Sequence, residues 1–261
     1  MAKQTLFRTI TAAAFLLFAL LTPALFADSY ARIVRLSEVD GSVQIDRNTG
    51  KGFENAIPNM PVTQGVRLET GDNGRAEVEF ENGSVLRLAD NTSVEFTQLS
   101  LASNGDRMSD VRVNDGLVYV NYKHKGDDEF QLSFANQSVN LTKDVHLRLN
   151  LDRATAQLAV FKGEVNIQGQ GESARVKKNE TFTLDLNDGA RYELAKNIEP
   201  YSADEWDHER DQYLQQYASA QNRSNSPYSY GFSDLDRYGN FFDVPGYGLL
   251  WRPTSFGPGW D

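Results

Sequence analysis

Between residues 33 and 194 apolar side chains return at every second position, and turn-forming residues interrupt the pattern every eight to twelve residues. Alternation of this kind places one set of side chains on one face of a strand, so the stretch reads as an all-β, antiparallel sandwich or roll. The pattern is clearest from Val66 to Phe96, where Val66, Leu68, Ala76, Val78, Phe80, Leu86, Leu88, Val94 and Phe96 alternate around Asp72-Asn73-Gly74, Glu81-Asn82-Gly83 and Asp90-Asn91. Read as three hairpin turns, these make a meander. A two-residue turn at Asn82-Gly83 would put Arg87 on the apolar face. A three-residue loop, with Gly83 left-handed as a bulge, instead pairs Val78 with Leu86 and Ala76 with Leu88. The same geometry at Asp72-Asn73-Gly74 pairs Leu68 with Val78 and Val66 with Phe80. Arg67, Glu69, Arg75, Glu77, Glu79 and Arg87 then point to water.

A second block repeats the pattern in Phe130, Leu132 and Phe134; in Val145, Leu147, Leu149 and Leu151; in Ala156, Leu158 and Val160; and in Phe182, Leu184 and Leu186. Asp152-Arg153 and Asp188-Gly189 supply turns. Gly41-Ser42-Val43-Gln44-Ile45 echoes Gly163-Glu164-Val165-Asn166-Ile167. The echo means either a duplicated unit or two strands in similar places in two sheets.

The chain divides into 1–27, 28–198, 199–222 and 223–261. Lys3 and Arg8 precede an apolar run over residues 10–21, and Thr22-Pro23-Ala24-Leu25-Phe26-Ala27 follows. This is the form of a cleavable signal peptide, cut after Ala27 or Ala24, with an uncleaved anchor as the alternative. The exported chain, periplasmic or secreted, then carries a formal charge of -12 where the whole chain carries -10. No later run is long enough to span a membrane. With no Cys, the chain has no disulfide, thiolate metal site or lipid-bearing N-terminal Cys. Its acidity argues against nucleic acid as a partner.

Ser202-Ala203-Asp204-Glu205 reads as a capping box opening one amphipathic helix. Ala203, Trp206, Tyr213, Tyr217 and Ala220 form its stripe, with Arg210 in the middle, to be packed on the β body or in a partner's groove. Residues 223–261 hold ten of the chain's 29 aromatics together with six Gly and four Pro, a mixture expected to stay irregular. Tyr238, Tyr247 and Trp251 there, with Trp206, Tyr213 and Tyr217 of the helix, form the candidate binding surface. It would stack on glycan rings or a partner protein, or strap the tail to the body.

Gly41-Ser42-Val43, Val62-x-x-Gly65-x-x-Leu68-x-Thr70-Gly71 and Ala76-Glu77-Val78-x-Phe80-x-Asn82-Gly83-Ser84-x-Leu86-x-Leu88 resemble the FecR domain of bacterial envelope proteins. The motif covers residues 36–99. Gly116-Leu117-Val118-Tyr119-Val120, Phe161-x-Gly163-x-Val165 and Asn179-Glu180-Thr181 resemble the second half of longer members, and Gly246-Tyr247-Gly248-x-x-Trp251-x-Pro253 resembles an aromatic extension found in one group of them. The resemblance implies a periplasmic module. In the family's best-known role, iron-siderophore signalling, such a module senses an outer-membrane receptor and controls a sigma factor through a cytoplasmic N-terminal segment. Only seven or eight residues precede the apolar run here, so anti-sigma activity is not carried over. Similar extensions continue beyond the point where this chain reaches Trp260-Asp261, which reads as a shortened member.

No nucleophile elbow or phosphate-binding loop is present, and the three His lie in separate segments, so neither catalytic residues, metal ligands nor a cofactor is expected. His146 should alternate outward with Arg148 into solvent. Asp127-Asp128-Glu129 and Asp185-x-Asn187-Asp188-Gly189 read as turns before calcium loops. The expected function is a non-enzymatic FecR-like binding or scaffold module that takes an envelope protein or glycan. The alternatives are iron-regulatory-type signal transduction and an enzyme acting on polysaccharide or peptidoglycan.

Overall fold

The computed structural model describes residues 32–169, 173–188, 191–217 and 230–254. The segment read as a signal peptide lies outside them, as do Ala220 of the helix stripe and the tail aromatics Tyr228, Phe256 and Trp260. Seventeen strands form the body: β1 (Val34–Asp40), β2 (Val43–Asp46), β3 (Glu54–Asn55), β4 (Pro61–Val62), β5 (Arg67–Thr70), β6 (Arg75–Glu79), β7 (Val85–Leu88), β8 (Ser93–Leu101), β9 (Arg107–Tyr122), β10 (Glu129–Phe134), β11 (Gln137–Leu141), β12 (Val145–Leu151), β13 (Thr155–Lys162), β14 (Glu164–Gln168), β15 (Ala174–Lys177), β16 (Glu180–Asp185) and β17 (Tyr192–Ala195). They lie in two layers. Sheet A runs β3-β2-β5-β8-β9-β10-β11-β14-β15, and sheet B runs β4-β1-β6-β7-β9-β12-β13-β16-β17. Every pairing is antiparallel except that of β9 with β10. The alternating apolar residues of both layers merge into one buried cluster, from Val34 and Ile45 through Phe80, Phe96 and Leu132 to Leu158 and Phe182.

Strand β9 belongs to both layers. Its first half pairs with β8 and β10, its second with β7 and β12, and the change occurs at Gly116. Gly116 has φ +92°, and a Cβ there would stand 2.5 Å from Thr92 Cα and 2.6 Å from the Asn91 carbonyl oxygen. Gly116→Ala is therefore expected to lower stability by about 2 kcal/mol through backbone strain, read as a lower urea midpoint at unchanged slope. The echoed pair works the same way. Gly41 and Gly163 both have positive φ, and each carries the chain from sheet B (β1, β13) into a sheet A strand (β2, β14) one place in from opposite edges.

The loop at Glu81-Asn82-Gly83 has the expected form, with Gly83 at φ +81° and Val78 opposite Leu86. The turn at Asp72-Asn73-Gly74 does not. There Asn73, not Gly74, is left-handed, and β5 pairs with β2 and β8 while β6 pairs with β1 and β7. Leu68 and Val78 thus lie in different layers instead of side by side in one sheet. The turn after β7 at Asp90-Asn91 also crosses between layers, so the stretch is a set of corners around one hairpin and not a meander. Alternation is identical in the two cases, because a strand that changes layer keeps its apolar side inward.

Among the described residues two helices follow, α1 (Asp204–Gln216) and α2 (Phe232–Tyr238), and then a hairpin of β18 (Gly239–Val244) and β19 (Gly248–Pro253). The tail, expected to be irregular throughout, thus contains a short helix and a hairpin. Its glycines sit where they are needed: Gly231 opens α2, and Gly246 and Gly248 form the hairpin turn, all with positive φ. Helix α1 starts two residues beyond Ser202. Its N-cap position is Ala203, and no side chain caps it. The Ser202–Glu205 capping box is absent because Asp204 takes over the helix entrance, its Oδ2 accepting the Tyr201 N–H at 2.9 Å. No helix among the described residues is long and apolar enough to cross a membrane.

Candidate functional site

The outer face of sheet B is polar, and α1 lies over it. Pleating turns Glu77 and Glu79 of β6, Arg87 of β7, Tyr119 and Asn121 of β9, and His146 and Arg148 of β12 away from the core. The sequence reading sent Glu77, Glu79, Arg87, His146 and Arg148 to water. Instead Glu77 and Arg87 are fully buried, Glu79 and Arg148 are 4% exposed, and His146 is partly buried beside the helix. Arg67 on sheet A does remain exposed.

Arg87 is the hub. Its Nε donates to Glu77 Oε2 at 2.8 Å, its Nη1 to Asp207 Oδ1 at 2.5 Å, and its Nη2 lies 2.8 Å from Asp211 Oδ1. Arg210 of the helix reaches back to Glu77 Oε1 at 2.7 Å and Glu38 Oε2 at 2.8 Å. At the helix entrance Asp204 Oδ1 accepts from Arg148 Nη1 at 2.6 Å and from the Tyr119 hydroxyl at 2.7 Å. Asp204, Asp207 and Asp211 follow one another at helical spacing, so α1 presents a carboxylate edge to a guanidinium-bearing sheet. Burial disfavours a charged Glu77, but the guanidiniums of Arg87 and Arg210 outweigh it and hold its carboxyl at about 2.

His146 Nε2 lies 2.7 Å from Asp207 Oδ2, and one ligand atom from each of His146, Asp207 and Asp211 falls within 4.8 Å of the others. That grouping has metal-ligand chemistry. The cation that meets these carboxylates, however, is the Arg87 guanidinium, which engages Oδ1 of both.

The second helix is held by a smaller latch. The Gly231 N–H donates to Glu79 Oε2 at 3.0 Å, and Arg35 Nη2 lies 2.6 Å from Asp234 Oδ2 and 3.4 Å from Glu79 Oε2. The Tyr213 hydroxyl donates to Asp234 Oδ1 at 2.9 Å, joining α1 to α2. Tyr213→Phe keeps the ring under Arg210 and Arg237 but removes this bond. It is expected to loosen α2 by about 1 kcal/mol, seen as roughly fivefold faster amide exchange over residues 232–238 with β12 unchanged.

The six sequence-selected residues divide between two settings. Trp206 is buried with Ala203 under α1, with Arg75 over its ring at 5.3 Å. Tyr213 and Tyr217 are in ring contact, their centroids 5.0 Å apart. The described part of the helix stripe therefore packs on the β body through Ala203 and Trp206. Tyr238, Tyr247 and Trp251 lie in the tail, where Trp251 Nε1 donates to the Leu235 carbonyl at 2.9 Å. Tyr247 is 81% exposed at the hairpin tip, and Phe242 and Leu250, opposite each other, are 40% exposed on one face of the hairpin. The charged residues under α1 escaped the sequence reading. Two signals pointed to them: Glu77 falls opposite Arg87 in the hairpin register, and the three aspartates share one helix face.

Residues 66–166 match the family model described as FecR protein. The resemblance read from the motifs thus holds over a span that includes β6, β7, β9 and β12, the strands beneath α1. Two solved structures, each described as "a putative anti-sigma factor" from Parabacteroides distasonis, are similar to 72% of this chain over 99% of theirs, at 11% and 13% identity and a TM-score of 0.45. No curated protein matches the chain.

Proposed function

We propose, with the FecR match over residues 66–166 as premise, that the chain is a non-enzymatic module of envelope signal transduction. In this reading it is exported and acts in the periplasm or outside the cell. The sandwich is the scaffold, α1 and α2 are docked on its sheet B face, and the hairpin carries the contact with an envelope protein. The observation that carries the reading is the coincidence of the FecR span with a polar face that receives a helix from far along the chain. Exposed Phe242, Tyr247 and Leu250 offer large apolar area at the hairpin, the composition typical of protein contacts.

The second reading is a passive binding or scaffold module for a protein or glycan, favoured by the buried ion network that fixes α1 in one place. Transcript profiling separates the two. In the source bacterium, deleting the gene, or only residues 239–254, should change a discrete set of transcripts if the chain signals. Unchanged transcripts with intact export would sink the signalling reading and leave the scaffold. Mature protein beginning at Asp28 in a periplasmic or culture fraction tests the proposed location.

A further inference from the structure

Sheet A carries a cleft of about 520 Å³ on its own outer face. Small-molecule sites usually measure roughly 300–1,000 Å³. The floor is a row of four side chains on four adjacent strands. Gln98 of β8 stands opposite Asp110 of β9, Asp110 opposite Gln131 of β10, and Gln131 opposite Asn140 of β11. Their chain neighbours Leu99, Val111, Leu132 and Leu141 are buried in the core, so pleating turns the row outward. Asp110 is held in place: Oδ1 accepts from Ser133 Oγ at 3.0 Å and Oδ2 from Gln131 Nε2 at 3.4 Å. The segment between β9 and β10 brings Asp127 to the rim, and Glu129 follows at the start of β10.

Neutralisation within the cleft is partial. Asp128 is paired with Arg107 at 3.0 Å, whereas the side chains of Asp127, Glu129 and Asn140 make no hydrogen bond or ion pair among the described residues. The lining includes no Lys or Arg. Three carboxylates without an ion pair among the described residues, those of Asp110, Asp127 and Glu129, therefore share one concavity with the paired Asp128, with His124 and with three primary amides, those of Gln98, Gln131 and Asn140. Uncompensated carboxylates attract a cation. Amides supply donors and acceptors together, the combination that hydroxyl groups satisfy in return. A purely apolar ligand finds little here, and a simple cation would leave the amide row unused.

We propose that this cleft binds a protonated amine carried on a hydroxyl-rich scaffold, that is, an amino-sugar unit. Glu129 and Asp127 take the ammonium group. The Asn140 amide and the carbonyl oxygens of Gln98 and Gln131, whose Nε2 groups already donate to Ser100, Ser133 and Asp110, take the hydroxyls. The site lies on the other sheet from the one that α1 covers, and it does not depend on the signalling role proposed above.

Calorimetric titration of the full chain with a tetramer of glucosamine tests it, with the fully N-acetylated tetramer, spermidine and calcium as comparisons. The glucosamine tetramer is expected to bind, and the N-acetylated form, which lacks the charge, at least about tenfold more weakly. Spermidine, which lacks the hydroxyls, should also be weaker by about tenfold. Glu129→Gln and Asn140→Ala should each weaken the glucosamine tetramer by about five- to tenfold with an unchanged melting curve, because neither side chain has a partner among the described residues. Absence of binding, equal affinity for the N-acetylated tetramer, equal or tighter binding of spermidine or calcium, or indifference to both substitutions would each overturn the proposal.

Discussion

Arg87→Met is expected to lower stability by about 3–5 kcal/mol, the usual cost of removing one partner from a buried ion pair. Glu77 would be left fully buried with only Arg210 to neutralise it, and Asp207 and Asp211 would face sheet B without their guanidinium. Two of the three carboxylates that meet Arg87 belong to α1, so the loss should appear first as release of that helix. Amide exchange over residues 204–216 should accelerate together with a fall in the urea midpoint. The double variant Glu77→Met/Arg87→Met should recover part of the loss, since apolar residues of similar volume often replace a buried pair at little cost. A single variant that melts like the parent, with α1 protected as before, would show that the network contributes nothing to docking.

The second large effect is on pH dependence. Glu77 and Glu79 stand two residues apart on one face of β6 and titrate in opposite directions. Two guanidiniums bracket Glu77. Glu79 is buried, which pushes its carboxyl up to about 7, while Arg35 and the Gly231 N–H lower it in part and Glu77 and Asp234 raise it further. A carboxyl with a raised folded pKa supplies stability that is complete below its unfolded value, 4.5, and is lost as pH rises through about 7. From that shift the stability of the folded chain, the docking of α2 included, should fall by roughly 3 kcal/mol between pH 4.5 and 7 and stay level above. Glu77 contributes with the opposite sign. Its stabilisation is present above pH 4.5 and disappears as pH falls toward 2. Amide exchange over residues 231–238, corrected for intrinsic rates, should therefore quicken from about pH 5 to about pH 7. Glu79→Gln keeps an acceptor for the Gly231 N–H and cannot ionise, so its latch should hold at all pH values. Exchange in the parent that does not vary over this range would remove Glu79 as the controlling group.

Both effects arise at residues that the sequence assigned to solvent, and the reason is physical. Alternation distinguishes the core side of a strand from the other side. It carries no information about what covers the other side, and the helix that covers Glu77 and Arg87 begins more than 110 residues later. The Gly83 turn was legible because a three-residue loop with a left-handed glycine is a local solution to keeping Arg87 off the core. The Asp72-Asn73-Gly74 turn was not, because hairpin and corner demand the same inward residues, and only pairing partners distant in sequence choose between them. The cleft on sheet A was invisible for a similar reason: its four floor residues come from four strands and meet only through register.

The sequence by itself determined the all-β class, the inner face of nearly every strand, the presence of the helix, and the FecR resemblance, all of which rest on short-range periodicity and local turn chemistry. Tertiary structure alone decided which turns change layer, that an arginine is buried under a helix of aspartates, and that the aromatic tail splits between a docked segment and an exposed hairpin. Those outcomes depend on contacts between residues far apart in the chain, whose charges are the same in solvent and under a helix but whose energies are set by what surrounds them.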